Sequence, residues 1–116
     1  MIAREEILKN LNAQIHINGH ILGVVAGSGM TAKYAAEGGA DILLALSAGK
    51  FRIMGRSSFS SYLCYGNSNS IVMNMGQNEL LTIIKDKPVL FGLFASDPMI
   101  NLYDYLQQIK ESGFSG

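Results

Sequence analysis

VVAGSGMTAKYAAEGGADILLAL, residues 24–46, holds the pattern on which the fold turns. An apolar run stops at Gly27-Ser28-Gly29, a short Ala-rich segment follows, Gly38-Gly39 closes it, and a second apolar run begins. Apolar runs of this length bounded by glycine read as strands, and the Ala-rich segment between them as a helix. The unit is therefore strand, helix, strand. The strands are predicted at Ile21–Ala26 and Asp41–Leu46, with the helix over Thr31–Glu37.

The same unit recurs downstream. A long loop is expected from Ser47 to about Asn67, then a helix over Asn69–Ile84 with Val72, Gly76, Leu80, Ile83 and Ile84 on one face. A third strand, Val89–Phe94, enters through Pro88, and a last helix spans Asn101–Ser112 with Leu102, Tyr105, Leu106 and Ile109 inward. Upstream, Ile7, Leu8, Leu11 and Ile15 mark a helix over Ala3–Asn18, with Asn18-Gly19 as its C-cap. Strands that are continuous rather than alternating apolar runs are expected to be covered on both faces, as in parallel sheets. The expected fold is α/β: one domain, residues 1–116, of an N-terminal helix and three parallel βα units. Three parallel strands neither close a barrel nor make a good open sheet. The chain is thus expected to pair its open edges with another copy or with missing barrel strands, and Phe114 is expected to begin a further strand.

Composition narrows the function. Nine basic and nine acidic residues cancel, so no global field favours nucleic acid or anionic lipid. The apolar runs are too short to span a membrane and no apolar h-region follows the N-terminal charges, so a cytoplasmic protein is expected. The single Cys64 forms no internal disulfide and reads as a buried small hydrophobe, and His16 and His20 lack a third ligand for a metal.

Gly27, Gly29 and Ala32 match G-x-G-x-x-A, the dinucleotide spacing. The acidic residue that should follow at the end of the second strand is absent; Asp41 stands at its start. Lys50 and Arg52 could take a 2′-phosphate, which keeps a small Rossmann-like NADP-binding module as one alternative. The other is that Gly27, Ser28 and Gly29 form a strand-to-helix turn, with Ser28 capping the helix through Thr31 and backbone N–H groups facing an anion.

In a parallel βα protein, functional groups gather at the C-terminal strand ends. No acid occurs from residue 42 to 78, whereas Lys50, Arg52 and Arg56 all fall there. With Lys33 they suggest a positive field for a small phosphate or carboxylate, and Ser47, Ser57, Ser58 and Asn67 could orient it. Asp97 follows the third strand, where it could serve as general base or metal ligand, or start a turn with Pro98. Lys33 could reach the ligand or pair with Glu37.

Taken together, GSGMTAKYAAEGGADILLALSAGKFRIMGRSS (27–58), YGNSN (65–69), FASDP (94–98) and ESGFSG (111–116) resemble the phosphoenolpyruvate hydrolase-like family, also described as TIM-barrel signal-transduction domains. The resemblance implies a (β/α)8 barrel of twice this length or more, of which this chain supplies the first three βα units. SGMTAK is similar to the loop after strand one in phosphoenolpyruvate mutase and isocitrate lyase relatives, which hold Mg2+ with acidic residues after strands three and four; here that place carries a single Asp97. The expected function is action on a small phosphorylated or carboxylated acid. Asp97 and Lys33 would be catalytic, and Gly27, Ser28, Gly29, Ser47, Lys50, Arg52 and Arg56 would bind the anion; no metal ligands are assigned and the cofactor is left open, Mg2+ being the candidate those relatives suggest. Because barrel active sites draw on many strand ends, the short chain is expected to be incomplete as an enzyme. A metabolite-sensing barrel without catalysis is the other class.

Overall fold

A computed structural model describes residues 2–63 and 65–116. Cys64, expected to be buried, lies outside the described residues. The elements are α1 (Arg4–Asn18), β1 (Gly23–Ala26), α2 (Gly29–Glu37), β2 (Ile42–Ala45), α3 (Ser47–Ile53), a 3-10 turn (Ser58–Tyr62), α4 (Ser68–Met75), a π-turn (Gly76–Leu80), α5 (Leu81–Ile83), β3 (Val89–Phe91) and α6 (Leu102–Glu111). The three strands form one parallel sheet in the order β1-β2-β3. Val25 lies opposite Leu44, and Leu44 opposite Leu90.

The strands are shorter than the apolar runs that encode them. Ile21 and Leu22 stay exposed before β1, and Asp41 explains where pairing starts. Its carboxylate accepts the Leu22 N–H at 2.8 Å, and its own N–H donates to the Leu22 carbonyl at 2.8 Å. Asp41 therefore ties the two strand entrances together.

Ala26, Leu43, Ala45, Val89 and Phe91 are buried on one face with Ala32 of α2, Val72 and Met75 of α4, Leu80 and Ile109. The expectation that both faces are covered is corrected: Val25, Ile42, Leu44 and Leu90 are only partly buried. Helices of a βα unit pack on one side of their strands, so three such units leave the other side to groups outside them. The α2 helix lies close to the sheet because Ala32 is small and fully buried.

Three helix expectations change. The loop expected over Ser47–Asn67 contains α3 and the 3-10 turn. Helix α3 has only seven residues and includes Gly49, so propensity gives it little signal. Its stability comes from Phe51, which is buried and meets Tyr65 edge-to-face at a ring separation of 5.1 Å. The helix expected over 69–84 is interrupted by the π-turn, and its Ile83 is exposed. On α6 only Ile109 is buried and Tyr105 partly so, while Leu102 and Leu106 are exposed. Helix α1 buries none of its residues, although Gly19 caps it as expected at φ 75°.

Beyond α6, the Ser115 N–H donates to the Val89 carbonyl at 2.9 Å and the Phe91 N–H to the Gly116 carbonyl at 2.7 Å. The Gly92 N–H bonds instead to Ala45 of β2. Alternate amides of a strand point to opposite edges, so Ser115 and Gly116 line the edge of β3 away from β2. Phe114, expected to begin a further strand, begins none, although these two bonds run along the edge of β3. Phe114 is buried and stacks edge-to-face on Phe91, 5.0 Å between ring centroids.

Candidate functional site

The Gly27-Ser28-Gly29 turn ends β1 and starts α2. The Ser28 hydroxyl accepts the Thr31 N–H at 3.2 Å, the cap its spacing predicts. A Cβ on Gly27 would stand 2.2 Å from the Gly49 carbonyl oxygen, so α3 packs directly on the turn. The Gly29 N–H donates to Oε2 of Glu79 at 3.0 Å, and Oε1 of the same carboxylate pairs with Nζ of Lys50 at 2.6 Å. An anion does sit at the start of α2, as the macrodipole favours, but it is Glu79 from the π-turn. Burial works to raise the Glu79 carboxyl. The Lys50 hydrogen bond, the Gly29 N–H and the Lys50 charge outweigh it and hold the group below its ordinary value.

The other basic residues are also engaged within the chain. Arg52 donates from Nη1 to the Ser58 hydroxyl at 2.9 Å. The Arg56 guanidinium lies over the Tyr65 ring, 6.0 Å from its centroid. Lys33 is exposed over its neighbour Tyr34, and it borders a depression with Glu37, Ile84 and Asp86. Each of these cations thus has a neighbour within the chain: Glu79 for Lys50, Ser58 for Arg52, Tyr65 for Arg56 and Tyr34 for Lys33.

A different set of residues converges beyond β2 and β3. Ser61, Tyr62, Leu63, Gly66, Asn67, Ser68, Phe94 and Asp97 line a groove of about 350 Å³. It runs into a second hollow of about 280 Å³, which shares Ser61, Tyr62, Ser68 and Phe94 and reaches Ser47 and Gly92. Of the residues expected to carry function, Ser47 and Asp97 border this space. Gly27, Ser28, Gly29, Lys33, Lys50, Arg52 and Arg56 are not among its described lining residues.

Asp97 is held from several sides. Its Oδ1 accepts the Met99 N–H at 2.9 Å, which is the Asp-Pro turn expected from the sequence. Its Oδ2 accepts from Asn69 Nδ2 at 3.2 Å and from Asn67 Nδ2 at 3.4 Å. Asn69 is the residue that sequence reasoning missed. It is 2% exposed; its Oδ1 accepts the Phe94 N–H at 2.9 Å and its Nδ2 donates to the Phe94 carbonyl at 3.0 Å. The Tyr105 hydroxyl donates to the Asn69 carbonyl at 3.2 Å. Burial, and then the negative charge of Asp97, push the Tyr105 phenol upward. An Asn at a helix start reads as a cap in sequence. Only its burial shows that it also clamps the chain after β3.

Magnesium needs several oxygen ligands in near-octahedral array. No group of three His, Cys, Asp or Glu residues converges among the described residues. Asp97 is the single carboxylate on the groove, and both its oxygens already accept N–H groups. The described residues do not form a Mg2+ site by themselves.

The family model described as phosphoenolpyruvate hydrolase-like matches residues 6–116. The chain belongs to the phosphoenolpyruvate hydrolase-like family. Its curated relatives carry other descriptions. The chain is 37% identical over 113 residues to "ToMV resistance protein Tm-1(GCR237)" of Solanum lycopersicum, covering 97% of this chain and 15% of that protein. It is 41% identical over 113 residues to "Putative transcriptional regulatory protein y4pA" of Sinorhizobium fredii, covering 97% of this chain and 18% of that protein. The phosphoenolpyruvate hydrolase-like unit thus corresponds to a small part of much longer relatives. Its mixed α/β architecture, with three parallel strands in one sheet, is that of a partial βα barrel. No helix among the described residues is long and apolar enough to cross a membrane.

Proposed function

We propose that this phosphoenolpyruvate hydrolase-like chain supplies the first βα units of a (β/α)8 barrel acting on a small phosphorylated or carboxylated acid at its C-terminal strand ends. The observation that carries the reading is Asp97, its carboxylate oriented by Asn67, Asn69 and the Met99 N–H at the rim of the groove beyond β2 and β3. A carboxylate oriented in this way keeps one lone-pair site free, through which it would take a proton from water or substrate. The anion would be met from the α3 side by Lys50, Arg52 and Arg56, each of which must then exchange an internal partner for the substrate. Lys33, exposed beside Glu37 and Asp86, has no role in this reading. The test is turnover of phosphoenolpyruvate and phosphonopyruvate by a longer protein containing this unit. Asp97→Asn is expected to lower kcat at least 100-fold with KM little changed; no turnover of either compound by the parent protein rejects the reading.

A sensing barrel is the second reading. It is supported by the internal partners of Lys50 and Arg52, which leave the basic side without committed catalytic groups. The similarity to a "Putative transcriptional regulatory protein" agrees with it. A sensor would bind phosphonopyruvate with equal affinity before and after Asp97→Asn and would turn over neither compound.

A further inference from the structure

The groove beyond β2 and β3 has a chemical character that an acid-binding site would not need. Tyr62, Leu63 and Phe94 line it and all three are strongly exposed, with Leu63 at 67%. Among its described lining residues the one charged group is Asp97. Asp97 and the serine oxygens on its walls keep acceptor capacity. The Ser61 hydroxyl spends its hydrogen on the Ser58 carbonyl at 2.8 Å, and the Ser68 hydroxyl donates to the Ser61 carbonyl at 3.5 Å. Asn67 accepts the Ser70 N–H with Oδ1 at 2.9 Å and donates to Asp97 with Nδ2. A carboxylate offers about four lone-pair sites, and the recorded bonds to Asp97 take three of them. Serine oxygens that have donated still accept.

A groove with one negative charge, spare acceptors and an aromatic wall is complementary to a small organic cation. We infer that it binds a primary amine carrying an apolar, ring-sized body, the ammonium on Asp97 and the body against Phe94 and Tyr62. The groove of about 350 Å³ is large enough to admit a ligand of that kind, and a ring face adds attraction for a cation. This inference does not rest on the acid reading, because it uses none of Lys50, Arg52 or Arg56. Asp97 is common to both, so the test must separate them by the probe.

The test is a titration of the isotope-labelled full chain with phenethylamine, phenylacetate and phosphonopyruvate, followed at the backbone amides of Ser61, Leu63 and Phe94. Phenethylamine is expected to shift these amides saturably, and phenylacetate to bind at least tenfold more weakly. Asp97→Asn is expected to abolish the difference between the two. Should that variant fail to fold, Phe94→Ala gives the second measurement, with an expected loss of at least fivefold in phenethylamine affinity. Absence of a saturable shift with phenethylamine, or equal binding of phenylacetate, overturns the inference, as does unchanged affinity in Phe94→Ala. Failure of phosphonopyruvate alone to bind would count against the acid reading and leave this one standing.

Discussion

Glu79 and Lys50, 29 residues apart in sequence, are joined at 2.6 Å, and the second oxygen of the same carboxylate receives the Gly29 N–H. One side chain thereby binds α2, α3 and the π-turn to one another. Glu79 stands within the π-turn, a feature that often serves a local requirement.

Replacing Glu79 by Gln should therefore destabilise the fold in a pH-dependent way. The Glu79 carboxyl is held below its ordinary value. Its contribution is fully present above the unfolded carboxylate value and is lost as pH falls through the lowered folded value. Both partners are about a third exposed, which weakens the pair, so the expected loss at pH 7 is roughly 0.5–1 kcal/mol. Urea unfolding of the parent and Glu79→Gln at pH 7 and pH 3 should show a gap that closes in acid. A gap of constant size would mean that the charge contributes nothing.

Gly76 lies under Phe114, and a Cβ there would stand 2.0 Å from the ring. Gly76→Ala should cost about 1–3 kcal/mol through overpacking. Its particular signature should be faster hydrogen exchange at the Phe91 and Ser115 amides, because Phe114 anchors the segment that bonds to β3. Slowing, or no change, at both amides would show that Phe114 can move aside without disturbing that edge.

Gly27 meets backbone rather than a flexible side chain: the 2.2 Å neighbour of its would-be Cβ is the Gly49 carbonyl oxygen. Backbone gives way less easily, and displacing α3 would withdraw Phe51 from its buried place. Gly27→Ala is expected to lower stability by about 2–4 kcal/mol, read as a drop in the urea midpoint. Near-wild-type stability would show that α3 is not needed to cover the turn.

Tyr105→Phe should alter the alkaline limb of stability. The phenol is raised in the folded state by burial and by Asp97. Stability linked to it is present below about pH 10, the unfolded value, and is lost as pH rises through the higher folded value. The Phe variant gives up the bond to the Asn69 carbonyl, at a cost of about 1 kcal/mol at neutral pH. It should then lose less stability than the parent between pH 9 and pH 11. Parallel curves over that range would show that Tyr105 ionises as it does in the unfolded chain.

The sequence by itself determined the three βα units in order and the parallel α/β class. Glycine punctuation and apolar runs are local signals, and the strand–helix–strand reading of residues 24–46 holds to within a few residues at each end. It also determined the Ser28 cap, the Gly19 cap and the turn at Asp97, each closed within four residues of chain. The resemblance carried by its motifs agrees with the family match over residues 6–116. What tertiary structure decided were the interactions that close over long separations. Helix α3 was invisible because seven residues with a central glycine form a helix only when Phe51 is buried against its surroundings. The basic residues are neighbours in sequence, but the partners they take are not legible there. Glu79, the first acid after that stretch, reaches back to Lys50, and Arg52 and Arg56 turn to Ser58 and Tyr65. Asn69 reads as a helix-start residue until its side chain is seen clamping Phe94 and Asp97, 25 and 28 residues away. Backbone propensity acts over a few bonds, whereas a charge or a buried amide is satisfied by whichever partner folding brings within reach.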